Sequence, residues 1–438
     1  MPETNYQRRA ISYMSSASAL HFAGYELVRS ATIALFTSRQ SGFSSPAAMP
    51  AATGLVSPFS ILLLWWYTGV VETMGPKVAI RKSTMLFSSL CLVGGIIFAI
   101  LDTSSNKHLR VSQTMATFLF VSQNALVQLL FTQHWAFLGS IPTNNKSWFA
   151  PIAGIGSLSS TLAASSVGML AKILDLWGLL VAAAFVIGFS GICAEQAYRI
   201  AEQHDFSPTL QQPETTPGKS NEKINRLRHA RELFQRVPVL GALCSEVLVC
   251  QCLSSIVSFL FILQVKESIP NDQQRASWTG NCYAWINGVS GILQFAVIPW
   301  SVQYVDPRTL WPVMPATMLV FSAAMSYSPS LLTIAGAFFT MKTLEYSLRG
   351  VANELVFASL DYESRFVGKE IIGLFANRFG KSGMAVALSI LASKVTLQQV
   401  SSMASVLTVL WFVVSLHVVK LVFEQGKGRA VVQRQKEA

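Results

Sequence analysis

The chain of 438 residues is 51% AVILMFWYC and only 13% DEKR, with Lys+Arg 33 against Asp+Glu 22 and a formal net charge of +11. Soluble domains run nearer a quarter charged residues, so this composition excludes an ordinary globular protein, a disordered chain and a large soluble catalytic domain. It points to an all-α polytopic membrane protein. A helix needs about 20 apolar residues to cross a bilayer, which leaves room for roughly a dozen spans and little else.

Mostly apolar runs predict spans near 15–37, 50–71, 83–101, 113–140, 147–172, 176–197, 238–264, 277–304, 309–328, 331–357, 369–393 and 398–422. The long polar insert 198–237 holds Pro208, Pro213, Pro217 and Gly218 beside Lys219, Lys223, Arg226, Arg228, Arg231 and Arg236. That is the composition of a flexible, basic linker. The expected organisation is an N-terminal six-helix bundle over 1–197, a basic inner-side linker over 198–237, a C-terminal six-helix bundle over 238–424 and a basic tail over 425–438. The halves keep step, because the fifth span starts as far from the first (147 against 15) as the eleventh does from the seventh (369 against 238). Two parallel six-helix repeats give a major-facilitator-like plan of about 12 transmembrane helices.

With the N-terminus inside, Arg8, Arg9, Lys77, Arg81, Lys82, Lys146, the linker cations, Arg308, Arg365, Lys427, Arg429, Arg434 and Lys436 fall on one side. Only Arg39, Lys107, Arg110, Lys266, Arg275 and Lys394 fall on the other, so both termini are expected on the side of synthesis. Most of the net charge is then topology. What bears on function is the set of charges left inside the spans, which are costly there and normally face the bundle interior or a watery path.

In the first span Glu26 and Arg29, three residues apart, share a helix face, and an internal ion pair competes with a pathway role. The tenth span carries Lys342, Glu345, Arg349 and Glu354, and the eleventh carries Lys369, Glu370, Arg378 and Lys381. Ammonium and guanidinium groups suit phosphate oxygens, so the basic members are candidates for a polyanion site. Structural ion pairing is the alternative for each one taken singly.

Other motifs carry nothing. Gly380-Lys381-Ser382 resembles the end of a phosphate-binding loop, yet Phe375 stands where the first glycine belongs and no strand precedes it. Cys91, Cys193, Cys244, Cys250, Cys252 and Cys282 lack metal-type spacing and read as buried thiols. No metal set, cofactor motif or catalytic group with its base is visible, so an enzyme is not expected.

At the tenth and eleventh spans the residues become specific. Glu345-Tyr346-Ser347-Leu348, Asn353-Glu354-Leu355 through Asp361, Gly368-Lys369 and Arg378-Phe379-Gly380-Lys381-Ser382-Gly383 resemble the C-terminal signature of the ATP/ADP translocases of plastids and obligate intracellular bacteria. Tyr25-Glu26-Leu27-Val28-Arg29 and Trp148 through Gly156 resemble that family's first and fifth spans more weakly. The resemblance implies exchange of nucleotides across a membrane without hydrolysis. It also implies substrate contacts at Arg29, Lys369, Arg378 and Lys381, and Lys342, Arg349 and Glu354 stay candidates from their place in the tenth span. The implied partners are a nucleotide or other phosphorylated anion and the lipid bilayer, with no cofactor, no metal and no nucleic acid, and the implied location is a plastid envelope or other organelle membrane.

Five positions depart from the family pattern. Thr32 and Asn353 stand where it has lysine, and Gln123 and Ser258 stand where it has glutamate. Ser30 likewise replaces an acid. Two other readings therefore stay open: a translocase-like carrier of altered substrate, and a non-transporting scaffold subunit of a membrane protein complex.

Overall fold

Apolar runs this long bury their backbone polar groups in their own hydrogen bonds, so helix is the structure open to them in lipid. The computed structural model of the chain describes residues 5–38, 42–103, 109–141, 149–204, 206, 232–297, 310–349, 352, 356, 360, 368 and 372–437, and no strand occurs among them. In chain order the helices are α1 (Asn5–Thr37), α2 (Ala48–Met74), α3 (Pro76–Thr103), α4 (Leu109–Ser140), α5 (Phe149–Gln203), α6 (Pro238–Ser268), α7 (Asp272–Ile292), α8 (Leu310–Tyr327), α9 (Leu331–Tyr346), α10 (Gly380–Leu391) and α11 (Leu397–Glu437). π-helical turns extend α7 at Leu293–Val297 and precede α10 at Gly373–Phe379.

Local chemistry sets several boundaries. Gly75 takes a φ of 80° between α2 and α3, a left-handed conformation that glycine adopts without a Cβ clash. Pro76 and Pro238 open their helices, where a missing N–H costs nothing. Ser330 caps α9 by accepting from the Thr333 amide while Thr333 answers the Ser330 amide. The long run α5 is broken at Asp175, whose φ is 57°, between the expected spans 147–172 and 176–197. In the expected tenth span, 331–357, α9 ends at Tyr346 and a turn at Ser347 precedes helix at Leu348 and Arg349, and α1 begins about three turns before its expected start.

Among the described residues six stretches are long and apolar enough to cross a membrane: Ala48–Met74, Pro76–Asp102, Leu109–Ser140, Gly154–Gln203, Pro238–Ser268 and Leu397–Glu424. The chain is a multi-pass, all-helical membrane protein. It divides into two compact units, one of Met1–Thr215 with Lys266–Gly291 and one of Thr216–Val265 with Ile292–Ala438.

In the first unit α1 is central, with Ala10, Met14, Ala17, Val28 and Ala31 wholly buried. Small residues let its neighbours approach closely, as in other membrane helix pairs. A Cβ on Gly24 would lie 2.6 Å from Ile187, and Ser190 donates to the Ala17 carbonyl at 2.6 Å. On α3, Ser88 donates to the Ala184 carbonyl at 2.7 Å, and Gly191 leaves room for Thr84. In the second unit α8 and α11 are joined by a serine ladder, in which Ser326 donates to the Ser401 carbonyl and Ser405 to the Ser322 carbonyl, both at 2.8 Å. Phe261 of α6 stacks on Phe338 of α9 with centroids 3.9 Å apart.

Candidate functional site

The second unit gathers an ionic cluster around α6. Three residues separate Lys342 from Glu345 on α9, so they share a face, and their charged atoms lie 2.7 Å apart. Lys342 also donates to the Ser254 hydroxyl at 2.9 Å, while Gln251 and Ser254 of α6 donate to the Glu345 carboxylate at 3.2 and 3.3 Å. Each group of the pair is therefore held by polar side chains as well as by its counterion, which a buried pair needs to offset desolvation. Just beyond α9, Arg349 reaches a second carboxylate, that of Glu246 on α6, at 3.2 Å. Glu246 is fully buried and also accepts from the Trp411 indole at 2.6 Å.

Lys381 reaches this cluster from α10. Gly380 makes that possible, since a Cβ there would sit 3.1 Å from the Leu248 carbonyl oxygen and 3.2 Å from Gln251. Ser255 then donates to the Lys381 carbonyl at 3.0 Å, and the Cys252 thiol lies 3.5 Å from the Gly380 carbonyl. Lys342, Glu345 and Arg349 all lie within electrostatic reach of the half-buried Lys381. Glu345 answers Lys342 and Glu246 answers Arg349, whereas Lys381 forms no ion pair among the described residues. Among the described residues the cluster thus carries one more cation than carboxylates.

Of the residues expected from the sequence, Lys342, Arg349 and Lys381 come together here. Arg378 is half-buried at the end of the π-helical turn before α10. Lys369, Glu354 and Asn353, like most of the linker 198–237, lie outside the described residues. Arg29 belongs to the first unit and is committed to a buried ion pair with Glu26, which also accepts from Asn287 at 2.9 Å. The Arg29 guanidinium lies over the Tyr283 ring, 3.1 Å from its centroid, with Tyr25 at 5.1 Å.

Sequence reasoning passed over Glu246, the carboxylate that neutralises Arg349. Its signal was a lone acid inside an apolar span. Arg275, expected as a topogenic loop charge, is instead almost completely buried. It donates to the Thr37 carbonyl at 2.5 Å, to the Thr37 hydroxyl at 2.9 Å and to the Pro270 carbonyl at 3.2 Å, and it pairs with Asp272. Lys266, next to that turn, donates to the Phe43 carbonyl at 2.5 Å. All six cysteines are free thiols, and among the described residues no group of three His, Cys, Asp or Glu side chains could hold a metal ion.

Residues 313–425 match the family model described as TLC ATP/ADP transporter. That stretch takes in most of α8, α9, α10 and nearly all the apolar part of α11, and with them Lys342, Glu345, Arg349 and Lys381. No curated protein matches the chain at a significant level. Among solved structures the chain is similar to a point mutant of the nucleoside transporter NupG, with a TM-score of 0.63 and 10% identity over 93% of this chain and 99% of that one. It is also similar to the POT family transporter PepTSo, with a TM-score of 0.58 and 12% identity over 99% of both chains. A third is a bacterial homologue of the human lysosomal transporter Spinster in an inward-facing, unoccupied conformation, with a TM-score of 0.57 and 13% identity over 96% of this chain and 98% of that one. At such identities the likeness is one of fold alone.

Proposed function

We propose that this chain, a divergent member of the ATP/ADP translocase family, is a carrier that exchanges a nucleotide or another phosphorylated anion across a membrane without hydrolysing it. One observation carries the reading: Lys381 is held against α6 beside the paired Lys342 and Glu345, with its own charge unanswered among the described residues. An anion arriving there offsets the surplus charge of the cluster. Exchange follows from the same electrostatics, because reorienting the empty site moves an unanswered cation through the low-dielectric interior, whereas in the loaded site that cation has a counter-charge. Alternating access would come from rocking of the two sequence halves, 1–197 and 238–424, with both termini on the inner side.

The geometry favours a solute less charged than ATP. Lys342 and Arg349 are each already matched by a carboxylate, and Arg29 is matched by Glu26, so fewer cations are open to phosphate than the spans contain. The neutral residues at Thr32 and Gln123 are buried, and Ser258 turns its hydroxyl back to the Ser254 carbonyl at 2.6 Å.

Proteoliposomes loaded with ADP, AMP or inorganic phosphate and supplied with the labelled counterpart test the proposal. Uptake that requires an internal counter-anion is expected. Absence of exchange with every one of these solutes, together with co-purification of a stable membrane complex, would instead identify a scaffold subunit.

A further inference from the structure

In the first unit α1 and α4 run antiparallel along a seam fixed by two ring contacts. His21 lies 5.6 Å from His134 between centroids, and Phe36 lies 5.4 Å from Phe120. Thr32 falls on the α1 stripe between His21 and Phe36, and Gln123 falls on the α4 stripe between His134 and Phe120. Interpolating at 1.5 Å per residue places Thr32 and Gln123 opposite each other. A third helix presents the same chemistry at this depth. α7 is anchored to α1 by Arg275 at Thr37 and by Tyr283 beneath Arg29, which puts Thr279 between those contacts.

Thr32 and Thr279 are wholly buried and Gln123 is 1% exposed. Among the described residues the Thr32 Oγ1, Gln123 Oε1 and Thr279 Oγ1 atoms have no hydrogen-bond partner. Buried hydroxyls and amides are nearly always partnered, so three orphans on three helices at one depth call for a missing partner. A threonine in a helix has its own i−4 carbonyl within reach, as Thr37 and Thr408 show by donating to Ile33 and Ala404 at 2.7 Å. Thr32 does not use that option. The ionic charges nearby, Glu26 and Arg29, cancel each other, so what remains unanswered here is neutral.

We infer that Thr32, Gln123 and Thr279 form an uncharged hydrogen-bonding subsite for a neutral, hydroxyl- or amide-bearing part of the solute, of the ribose or nucleobase kind. The inference rests on the transport reading above and concerns the uncharged part of the solute. It also gives a use to the positions where this chain carries neutral side chains in place of the family's charges.

The test uses the purified full-length protein in detergent, with adenosine, ribose and inorganic phosphate as separate probes and thermal unfolding as the readout. Adenosine or ribose should raise the unfolding temperature of the wild type. The shift should require at least about tenfold more ligand in T32V and in Q123M, while T32S should keep it. The response to phosphate should stay unchanged in T32V and Q123M and fall in K381Q. Because orphaned groups contribute no native hydrogen bond, T32V and Q123M should unfold without ligand at or above the wild-type temperature. A wild type that responds to neither neutral probe, or variants that respond as the wild type does, would overturn the inference. So would a T32V or Q123M protein markedly less stable than the wild type, since the atoms would then have a structural partner. A phosphate response absent from the wild type would count against the Lys381 reading alone.

Discussion

Removing the charge of Glu246 by Glu246→Gln should cost the second unit about 3–5 kcal/mol, the range for stripping one partner from a buried ion pair. The structure supports the figure independently. The Arg349 to Glu246 separation is 3.2 Å, both side chains are almost fully inaccessible, and at an effective dielectric of about 20 the Coulomb attraction at that distance is about 5 kcal/mol. Glutamine keeps an acceptor for the Trp411 indole, so the loss isolates charge from shape. The assay is reversible unfolding in mixed detergent micelles of E246Q, R349Q and the double variant. The double variant should be less destabilised than the sum of the singles by at least about 1 kcal/mol, the signature of coupled neighbours. An E246Q protein within about 0.5 kcal/mol of wild type, or strictly additive singles, would refute the view that this pair is a buried element of the cluster.

Three further outcomes follow from the packing. Arg275→Lys keeps the charge but loses the planar fork that spans Thr37, Pro270 and Asp272, and should destabilise the first unit by about 1–3 kcal/mol in the same unfolding assay. Gly380→Val should push α10 off Leu248 and Gln251, costing about 1–3 kcal/mol, and should weaken anion binding more than a conservative change elsewhere on α10 does. Asn287→Leu removes a donor to the buried Glu26 carboxylate and should cost about 1–3 kcal/mol, measured as a loss of thermal stability.

How much of this was legible depends on whether the information is local. Span positions follow from apolar length, and even the break in α5 fell at Asp175, in the gap left between two apolar runs. The Lys342 to Glu345 pair is likewise local, because a separation of three residues on a helix leaves little choice of face. Glu246 and Arg349 are distant in sequence, and no periodicity links one acid on α6 to a cation beyond α9. Arg275 misled for a related reason. In sequence a cation between two apolar runs looks like a loop charge, and only the backbone carbonyls of Thr37 and Pro270 make its burial affordable. The π-helical turns before α10 and after α7 were invisible, since both stretches are apolar enough to pass for ordinary helix. The resemblance at 345–383 is local as well, and residues 313–425, which match the model described as TLC ATP/ADP transporter, contain that stretch whole.

The central claim is that the surplus charge at Lys381 receives the phosphorylated end of an exchanged solute. Counter-exchange in proteoliposomes loaded with the best solute among ADP, AMP and phosphate, run side by side for wild type and Lys381→Gln, tests it most directly. The account predicts exchange by the wild type and an apparent affinity at least about tenfold weaker for K381Q, a loss of about 1.4 kcal/mol of binding free energy, with both proteins equally folded. Equal exchange by the two proteins would contradict it.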